Sequence, residues 1–540
     1  MNFSSTVALS VLVISISMSN DVQFAKPPAQ TTVSHQSTVG RSWTNPVTVD
    51  LQKEFQTIHS FGASDCWSAK FIGNWRDEAK KNQIADLLFS LDTLSSGQPK
   101  GIGLSLWRMN IGAGSYEQGD SSKITDIWRR EECFLDSTGR YDWTKQAGSQ
   151  WFLRAARQRG VRYTLGFTNS APVHMTRNGK AFSPGGRSFN LKPAAMNPFA
   201  DFLVTVADHF KLDYLSPINE PQWDWKAEKN RNVKQEGSPA ENADIAGVAK
   251  ALSKKLVAKR AKTTVVTGET AQLDYLYERQ ESGRGNQLAY FFESNKAPVL
   301  TKMPNVEPIW AYHSYFTTCT DSLLVATRQK VAERVKSVGG PMLWQSEFGV
   351  LGDICGQYNG GPRHTSIDYG LYIAKVLHHD LTIANVTSWQ WWLAINPYNY
   401  SDGLVYINGP DGNYRQHDNA RLDGQVQDSK QLWAFGNYAR FVRPGMKRVA
   451  VHIAGSNAVA EASRCMVSAY KDPARKQIVL VCINMTPNAT TLPLTGLTIR
   501  NNRYTSYTTT ETKTLAKSIV PARQIQLEPK SVVTLIGTYQ

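Results

Sequence analysis

The sequence predicts an α/β fold: a closed (β/α)8 TIM barrel with an all-β sandwich domain. Three observations carry this reading. Short apolar runs with strand character alternate with segments of helical period from Ile58 to Phe441. No Gly-rich phosphate turn follows any of these runs, which removes the usual nucleotide reason for an open doubly wound sheet. After Arg443-Pro444-Gly445 the helical period disappears and short alternating runs follow one another, separated by turn residues.

In order, the expected strands are Ile58–Ala63, Gly103–Ile111, Arg162–Thr168, Leu212–Ile218, Thr263–Gly268, Ile309–Ser314, Met342–Glu347 and Val386–Leu393. The helical segments between them include Arg76–Leu91, Trp143–Arg159, Pro198–Phe210, Asn242–Arg260, Leu323–Val335 and Ser366–Leu381, with Asp428–Phe441 last. Eight such units joined by right-handed crossovers are what a closed barrel requires. Val449–Ile453, Cys465–Tyr470, Gln477–Ile483, Gln524–Leu527 and Ser531–Ile536 read as sandwich strands. Pro46–Leu51 alternates like a strand with no partner nearby, so the sandwich is expected to draw on both ends of the chain. The organisation expected is therefore a signal peptide over 1–20, a flexible lead-in over 21–45, a sandwich strand over 46–57, the barrel over 58–442 and the sandwich over 443–540.

The apolar run Val7–Met18 is too short to cross a bilayer and is followed by small residues, as in a secretory signal, although no Lys or Arg precedes it. A secreted protein is expected, with no membrane association after cleavage. The net charge is +15, and residues 441–540 hold thirteen Lys and Arg against four Asp and Glu. These charges are scattered, which reads as a solvated face, or as affinity for an acidic polymer such as a uronic-acid-bearing polysaccharide. No nucleic-acid-binding signature accompanies them. The six cysteines show no CxxC and no metal spacing; Cys465 and Cys482 lie on neighbouring strand-like runs and could pair. No metal or cofactor is expected, and the protein is expected to be a monomer.

In barrel enzymes the chemistry sits at the C-terminal strand ends. Here those ends read Asp65-Cys66-Trp67, Trp107-Arg108-Met109-Asn110, Thr168-Asn169-Ser170, Asn219-Glu220-Pro221, Gly268-Glu269-Thr270, His313-Ser314-Tyr315, Gln345-Ser346-Glu347 and Trp389-Gln390-Trp391-Trp392. Amides, aromatics and carboxylates suit a ligand with many hydroxyls and flat C–H faces, a polysaccharide or oligosaccharide. Glycosidic cleavage needs one carboxyl to protonate the leaving oxygen and a second to meet the oxocarbenium-like centre. Glu220 and Glu347 end the fourth and seventh strands and can face each other across the mouth. Glu269, Asp65 and Glu117 are rivals for either role.

Ser-Pro-Ile-Asn-Glu-Pro-Gln-Trp-Asp-Trp (216–225), Trp-Gln-Ser-Glu-Phe (344–348), Phe-Gly-Ala-Ser-Asp (61–65), Leu-Trp-Arg-Met-Asn-Ile-Gly-Ala-Gly-Ser (106–115) and Ser-Trp-Gln-Trp-Trp-Leu-Ala (388–394) resemble glycoside hydrolase family 30, most closely its endo-β-1,6-galactanase branch. The resemblance runs from about residue 46 to the C-terminus, with Asn-Tyr-Ala-Arg-Phe-Val-Arg-Pro-Gly (437–445) at the usual domain join. It implies a (β/α)8 TIM barrel with a side-packed all-β sandwich domain, and a retaining mechanism with Glu220 as acid/base and Glu347 as nucleophile. It also implies that Asn219 contacts the sugar 2-hydroxyl, while Arg108, His313 and Tyr315 brace the nucleophile side. Two departures stand out: His59-Ser60 replaces the family's more usual Asp-Gly, and Asn169 stands where the glucosylceramidase branch has Trp.

Asp65, Trp67, Asn169, Trp223, Trp389, Trp391 and Trp392 complete the expected substrate-binding set. Alternation along Trp389–Trp392 places at least one indole in the core and leaves the others for a sugar platform. Trp223 and Trp225 read as loop residues beside a subsite. His378-His379-Asp380, on a helix without a metal partner, reads as structural. A β-1,6-glucanase, a xylanase of the same family, or a barrel that binds carbohydrate without cleaving it are the alternatives.

Overall fold

The computed structural model describes residues 45–227, 233–278, 281–293, 300 and 302–540; the expected signal peptide and most of the lead-in lie outside them. Strand β1 (Val47–Thr57) is followed by β2 (Ser60–Ser64), β3 (Leu106–Asn110), β4 (Tyr163–Phe167), β5 (Tyr214–Ser216), β6 (Thr264–Thr270), β7 (Val306–His313), β8 (Met342–Phe348) and β9 (Ser388–Trp391). Strands β2 to β9 pair in parallel with their sequence neighbours, and β9 closes on β2, giving the eight-stranded barrel. Helices such as Ala147–Gln158, Met196–Phe210 and Asn242–Lys259 surround it. The β6–β7 crossover departs from expectation in carrying two short helices, Asp274–Tyr277 and Gln287–Phe292. Neither is long enough to show a helical repeat in sequence.

The barrel floor is filled by aromatic rings. His59 stacks on Tyr163 (centroids 4.1 Å apart) and lies 4.7 Å from Trp344, with Tyr214 edge-on to both. Its Nε2 bonds the Tyr214 hydroxyl at 2.9 Å, and Ser60 bonds Ser388 at 2.9 Å. Burial drops the His59 imidazole to about 4, so the ring is neutral and packs as an aromatic plug. The His59-Ser60 departure thus sits at the end of the barrel opposite the strand ends that carry the chemistry.

Asp380, on the helix Ile367–Thr382, ties two layers together. Its carboxylate accepts from Arg328 Nε (2.9 Å) on the helix Asp321–Ser337, from Ser314 Oγ (3.0 Å) and from Trp389 Nε1 (2.9 Å). Asp380 and Arg328 are fully buried.

The second domain is one nine-stranded ladder folded over its own core. From edge to edge it runs Ala516–Pro521, Arg503–Thr509, Ser531–Thr538, Gln477–Asn484, Cys465–Asp472, Lys447–Ile453, β1, Thr490–Thr495 and Gln524–Leu527. β1 pairs antiparallel with Lys447–Ile453 and parallel with Thr490–Thr495. The central strands bury both faces. Val467, Ala469, Leu480, Cys482, Val533 and Leu535 face the sheet's own core with Val49, Leu492 and Ile525, whereas Met466, Tyr470, Val479, Val481 and Val532 pack on the barrel side. Two-sided burial explains the nearly unbroken apolar run Gln477–Asn484. Asn437, on the helix Lys430–Ala439, donates to Tyr507 O and Thr534 Oγ1, each at 3.0 Å, which stitches the motif at the domain join to the sheet.

Cys465 and Cys482, which the sequence leaves free to pair or not, are unbonded. The register sets Cys465 opposite Asn484 and Cys482 opposite Val467, a diagonal of roughly 7–8 Å that a disulfide does not span. The disulfide joins Cys319 to Cys355 instead, with Cα atoms 6.1 Å apart.

Candidate active site

The strand ends converge on a charged cluster at the barrel mouth, and backbone irregularities aim its members. The β6–β7 register shifts between Thr267 and Thr270, around Gly268 (φ 109°) and Glu269 (φ 45°). A Cβ on Gly268 would lie 2.4 Å from the Ala311 carbonyl oxygen, so only glycine allows this approach. The β7–β8 register slips next to Glu347, between Tyr312 and His313. Bulges of this kind re-aim side chains beside active sites. Glu220 follows β5 with φ 45°, a conformation costing on the order of 1–3 kcal/mol in a non-glycine residue. Its N–H donates to Glu269 O at 3.0 Å, and its carbonyl accepts from Trp225 Nε1 at 2.9 Å.

Glu347 accepts from Arg108 Nη1 (2.7 Å) and from the Tyr315 hydroxyl (3.1 Å). Arg108 Nη2 reaches Asn219 Oδ1 (2.9 Å) and Glu269 (3.3 Å), while its guanidinium lies 3.6 Å from the Phe167 ring centroid. Asn219 in turn donates to Asn169 Oδ1 at 3.1 Å. His313 bridges two carboxyls, Glu220 through Nδ1 (2.8 Å) and Glu269 through Nε2 (2.9 Å). Ser346 Oγ donates to Glu269 at 2.6 Å.

Electrostatics divide these carboxyls. Burial alone would raise Glu269, but the Arg108 charge and the His313 and Ser346 hydrogen bonds outweigh it and hold Glu269 at about 2. Burial would lower His313, but Glu347 and the two hydrogen-bonded glutamates lift it to about 10. Burial raises Glu220, opposed by its bond to His313 and reinforced by the Glu347 charge. Two cations, Arg108 and His313, thus face three carboxyls, and the cluster is neutral when Glu220 carries one proton. Glu269, a rival on sequence grounds, is a permanent counter-charge with no exposed surface. Sequence reasoning missed this because the bulge at Gly268, not strand alternation, turns it inward.

Glu220, His313 and Glu347 each offer one ligand atom, all within 4.8 Å of one another, the spacing of a cation site. His313 donates from both ring nitrogens when protonated and has no lone pair to offer a metal. The imidazolium itself supplies the positive charge.

A cleft of about 320 Å³ opens over Glu220 and Glu347, lined also by Trp223, Trp225, Tyr315 and Trp392. Larger hollows, such as one of about 660 Å³ around Glu117 and His174, hold neither of these carboxyls. Of the expected set, Arg108 and His313 are fully buried and touch the glutamates from beneath. Trp67 packs edge-on to Trp392, and Asp65 accepts the Asn110 N–H at 2.8 Å, with burial pushing its carboxyl to about 8. Trp389 and Trp391 are corrected: both are fully buried and face away from the cleft. Trp389 packs on Phe435, and Trp391 Nε1 donates to Asp402 O at 2.8 Å. Strand alternation does separate them from Trp392, the indole of the three that reaches the cleft.

The family model of O-glycosyl hydrolase family 30 matches residues 44–406. A crystal structure of a conserved exported protein from Bacteroides fragilis is 34% identical, covering 91% of this chain and 100% of that one, with a TM-score of 0.84. The catalytic domain of the family 30 xylanase C from Talaromyces cellulolyticus is 20% identical, covering 92% and 100%, with a TM-score of 0.63. An endo-β-1,6-glucanase is 14% identical over 92% and 95%, with a TM-score of 0.62, and at these last two identities the likeness is one of fold. With two thirds of its length matched by that family model, on a barrel with an attached β domain, the chain belongs to O-glycosyl hydrolase family 30.

Proposed function

We propose that the protein is a secreted, retaining endo-glycoside hydrolase acting on β-1,6-linked galactan, such as the side chains of arabinogalactan. The observation that carries the mechanism is the approach of Glu220 and Glu347, with a carboxyl oxygen of each within 4.8 Å of the other. Retention calls for carboxyls about 5–5.5 Å apart, too close to admit the water that inversion requires. In the first step Glu347 attacks the anomeric carbon while Glu220 gives its proton to the leaving oxygen. Forming the ester removes the Glu347 charge that helped raise Glu220, so Glu220 then accepts a proton from the incoming water. Arg108 and Tyr315 hold Glu347 in line, and Asn219 takes the sugar 2-hydroxyl, as the family resemblance implies.

The galactan assignment rests on the motif resemblance at 216–225, 344–348 and 388–394, and on Asn169 in place of the Trp of the glucosylceramidase branch. Secretion rests on the Val7–Met18 run. Digestion of a defined β-1,6-galacto-oligosaccharide, with the anomer of the first product followed by NMR, tests both parts. The β-anomer from internal cleavage is expected. An α-anomer would remove the retaining mechanism, and turnover only of β-1,6-glucan or glucuronoxylan would move the assignment to the alternatives.

Glu220→Ala should lower turnover of natural glycosides by about 10²–10⁴-fold. A dinitrophenyl glycoside, whose leaving group needs no proton, should be cleaved to its glycosyl-enzyme at nearly the wild-type rate. Because burial raises Glu220, wild-type activity should persist below that raised value and fall as pH rises through it. This alkaline limb should vanish from the first step in the variant; its persistence would assign the acid elsewhere.

A further inference from the structure

One wall of the cleft is apolar and takes no part in the double displacement. Phe316 directly follows Tyr315, whose hydroxyl reaches Glu347, and holds φ 59°, an outlying conformation for a bulky side chain. Backbone strain of this kind concentrates at ligand clamps. Phe316 is 38% exposed, and Leu351, on the loop after β8, is 42% exposed. Both line the cleft. The Cys319–Cys355 disulfide joins these two loops three residues beyond Phe316 and four beyond Leu351. The apolar pair is thereby clamped to the frame that carries Tyr315 and Glu347.

Trp225 lines the same cleft and is likewise left-handed, with φ 48°. Its indole N–H is tied to the Glu220 carbonyl, and its ring lies on Gly237, where any Cβ would come within 2.3–2.6 Å of it. The ring therefore has a built seat. It also belongs to the segment that carries Glu220, the group that meets the leaving oxygen.

We propose that Phe316, Leu351 and Trp225 form the subsite for the sugar on the leaving-group side of the scissile bond, gripping its C–H faces, with the disulfide holding the subsite closed. This rests on the retaining reading above. A sugar seated there after the first step competes with water. The bond from the anomeric carbon to Glu347 breaks, a bond to the acceptor hydroxyl oxygen forms, and the hydroxyl proton passes to Glu220.

The test is the partition of the glycosyl-enzyme between water and an added acceptor. β-1,6-Galactobiosyl fluoride serves as donor, because fluoride leaves without using the subsite, and β-1,6-galactobiose as acceptor. Phe316→Ala and Leu351→Ala should each lower the transfer-to-hydrolysis ratio about 5–10-fold, while fluoride release without acceptor stays within twofold of wild type. Gly237→Ala, which displaces the Trp225 ring, and the Cys319→Ser/Cys355→Ser pair should lower the ratio in the same direction. A ratio unchanged in both Phe316→Ala and Leu351→Ala overturns the subsite, and one unchanged in the double-serine variant overturns the clamp. If wild-type enzyme ignores the galactosyl donor, the same ratios are read with gentiobiosyl fluoride and gentiobiose, or xylobiosyl fluoride and xylobiose. In that case the galactan assignment fails while the subsite stands or falls on its own ratios. Inertness toward every donor would overturn the hydrolase reading and the subsite with it.

Discussion

Replacing Glu347 by Gln should lower hydrolysis of the natural glycoside on the order of 10⁵-fold, about 7 kcal/mol of transition-state stabilisation at 1.36 kcal/mol per decade. The amide keeps the size of the carboxyl, so sugar binding should survive with a dissociation constant within a few-fold of wild type. Arg108 would still find an acceptor oxygen where it now bonds Glu347 at 2.7 Å. The truncated Glu347→Ala variant offers a sharper test of direction. Azide entering the vacated space would attack the face that Glu347 now covers and give the α-glycosyl azide. In Glu220→Ala, azide enters after the glycosyl-enzyme has formed and gives the β-product. Reversed stereochemistry would exchange the two roles; unchanged turnover in Glu347→Gln would exclude the mechanism.

The second large effect concerns stability. Asp380→Ala should destabilise the protein by about 3–5 kcal/mol, because it leaves the fully buried Arg328 guanidinium without its counter-charge. Ser314 and the Trp389 indole lose their acceptor in the same step. Asp380→Asn keeps an acceptor oxygen and should lose less than the alanine variant. Urea denaturation, comparing midpoints at constant slope, measures both. A loss below about 1 kcal/mol for Asp380→Ala would show that water reaches Arg328 and that the bridge between helices and strands is dispensable.

Much of this architecture is legible in the sequence. The eight strand runs and the change of texture after Gly445 are properties of period, and period follows from which faces are buried. The strand-end rule likewise brings out Glu220, Glu347, Arg108 and His313, because a polar residue ending a buried strand has few places to go but the mouth. What stays hidden depends on departures from regularity. Glu269 points inward through a bulge, and Trp389 and Trp391 share a face whose direction depends on how β9 is set in the barrel. Cys319 and Cys355 are 36 residues apart on irregular loops, so no spacing announces their bond. Cys465 and Cys482, on neighbouring strands, look better placed until the register is known.

The pairing of β1 with Lys447–Ile453 has a consequence for biosynthesis. Translation proceeds at roughly 5–20 residues per second, so β1 leaves the ribosome tens of seconds before the strand about 390 residues later that will pair with it. Until then its amides and carbonyls are an open template for other chains. The nascent barrel can close without it, but the β domain cannot be completed until its last strand, Ser531–Thr538, has been made. Deleting Val47–Thr57 should therefore strip a strand from the β domain, and aggregation during expression, more than lost catalysis, is where that damage should first be seen.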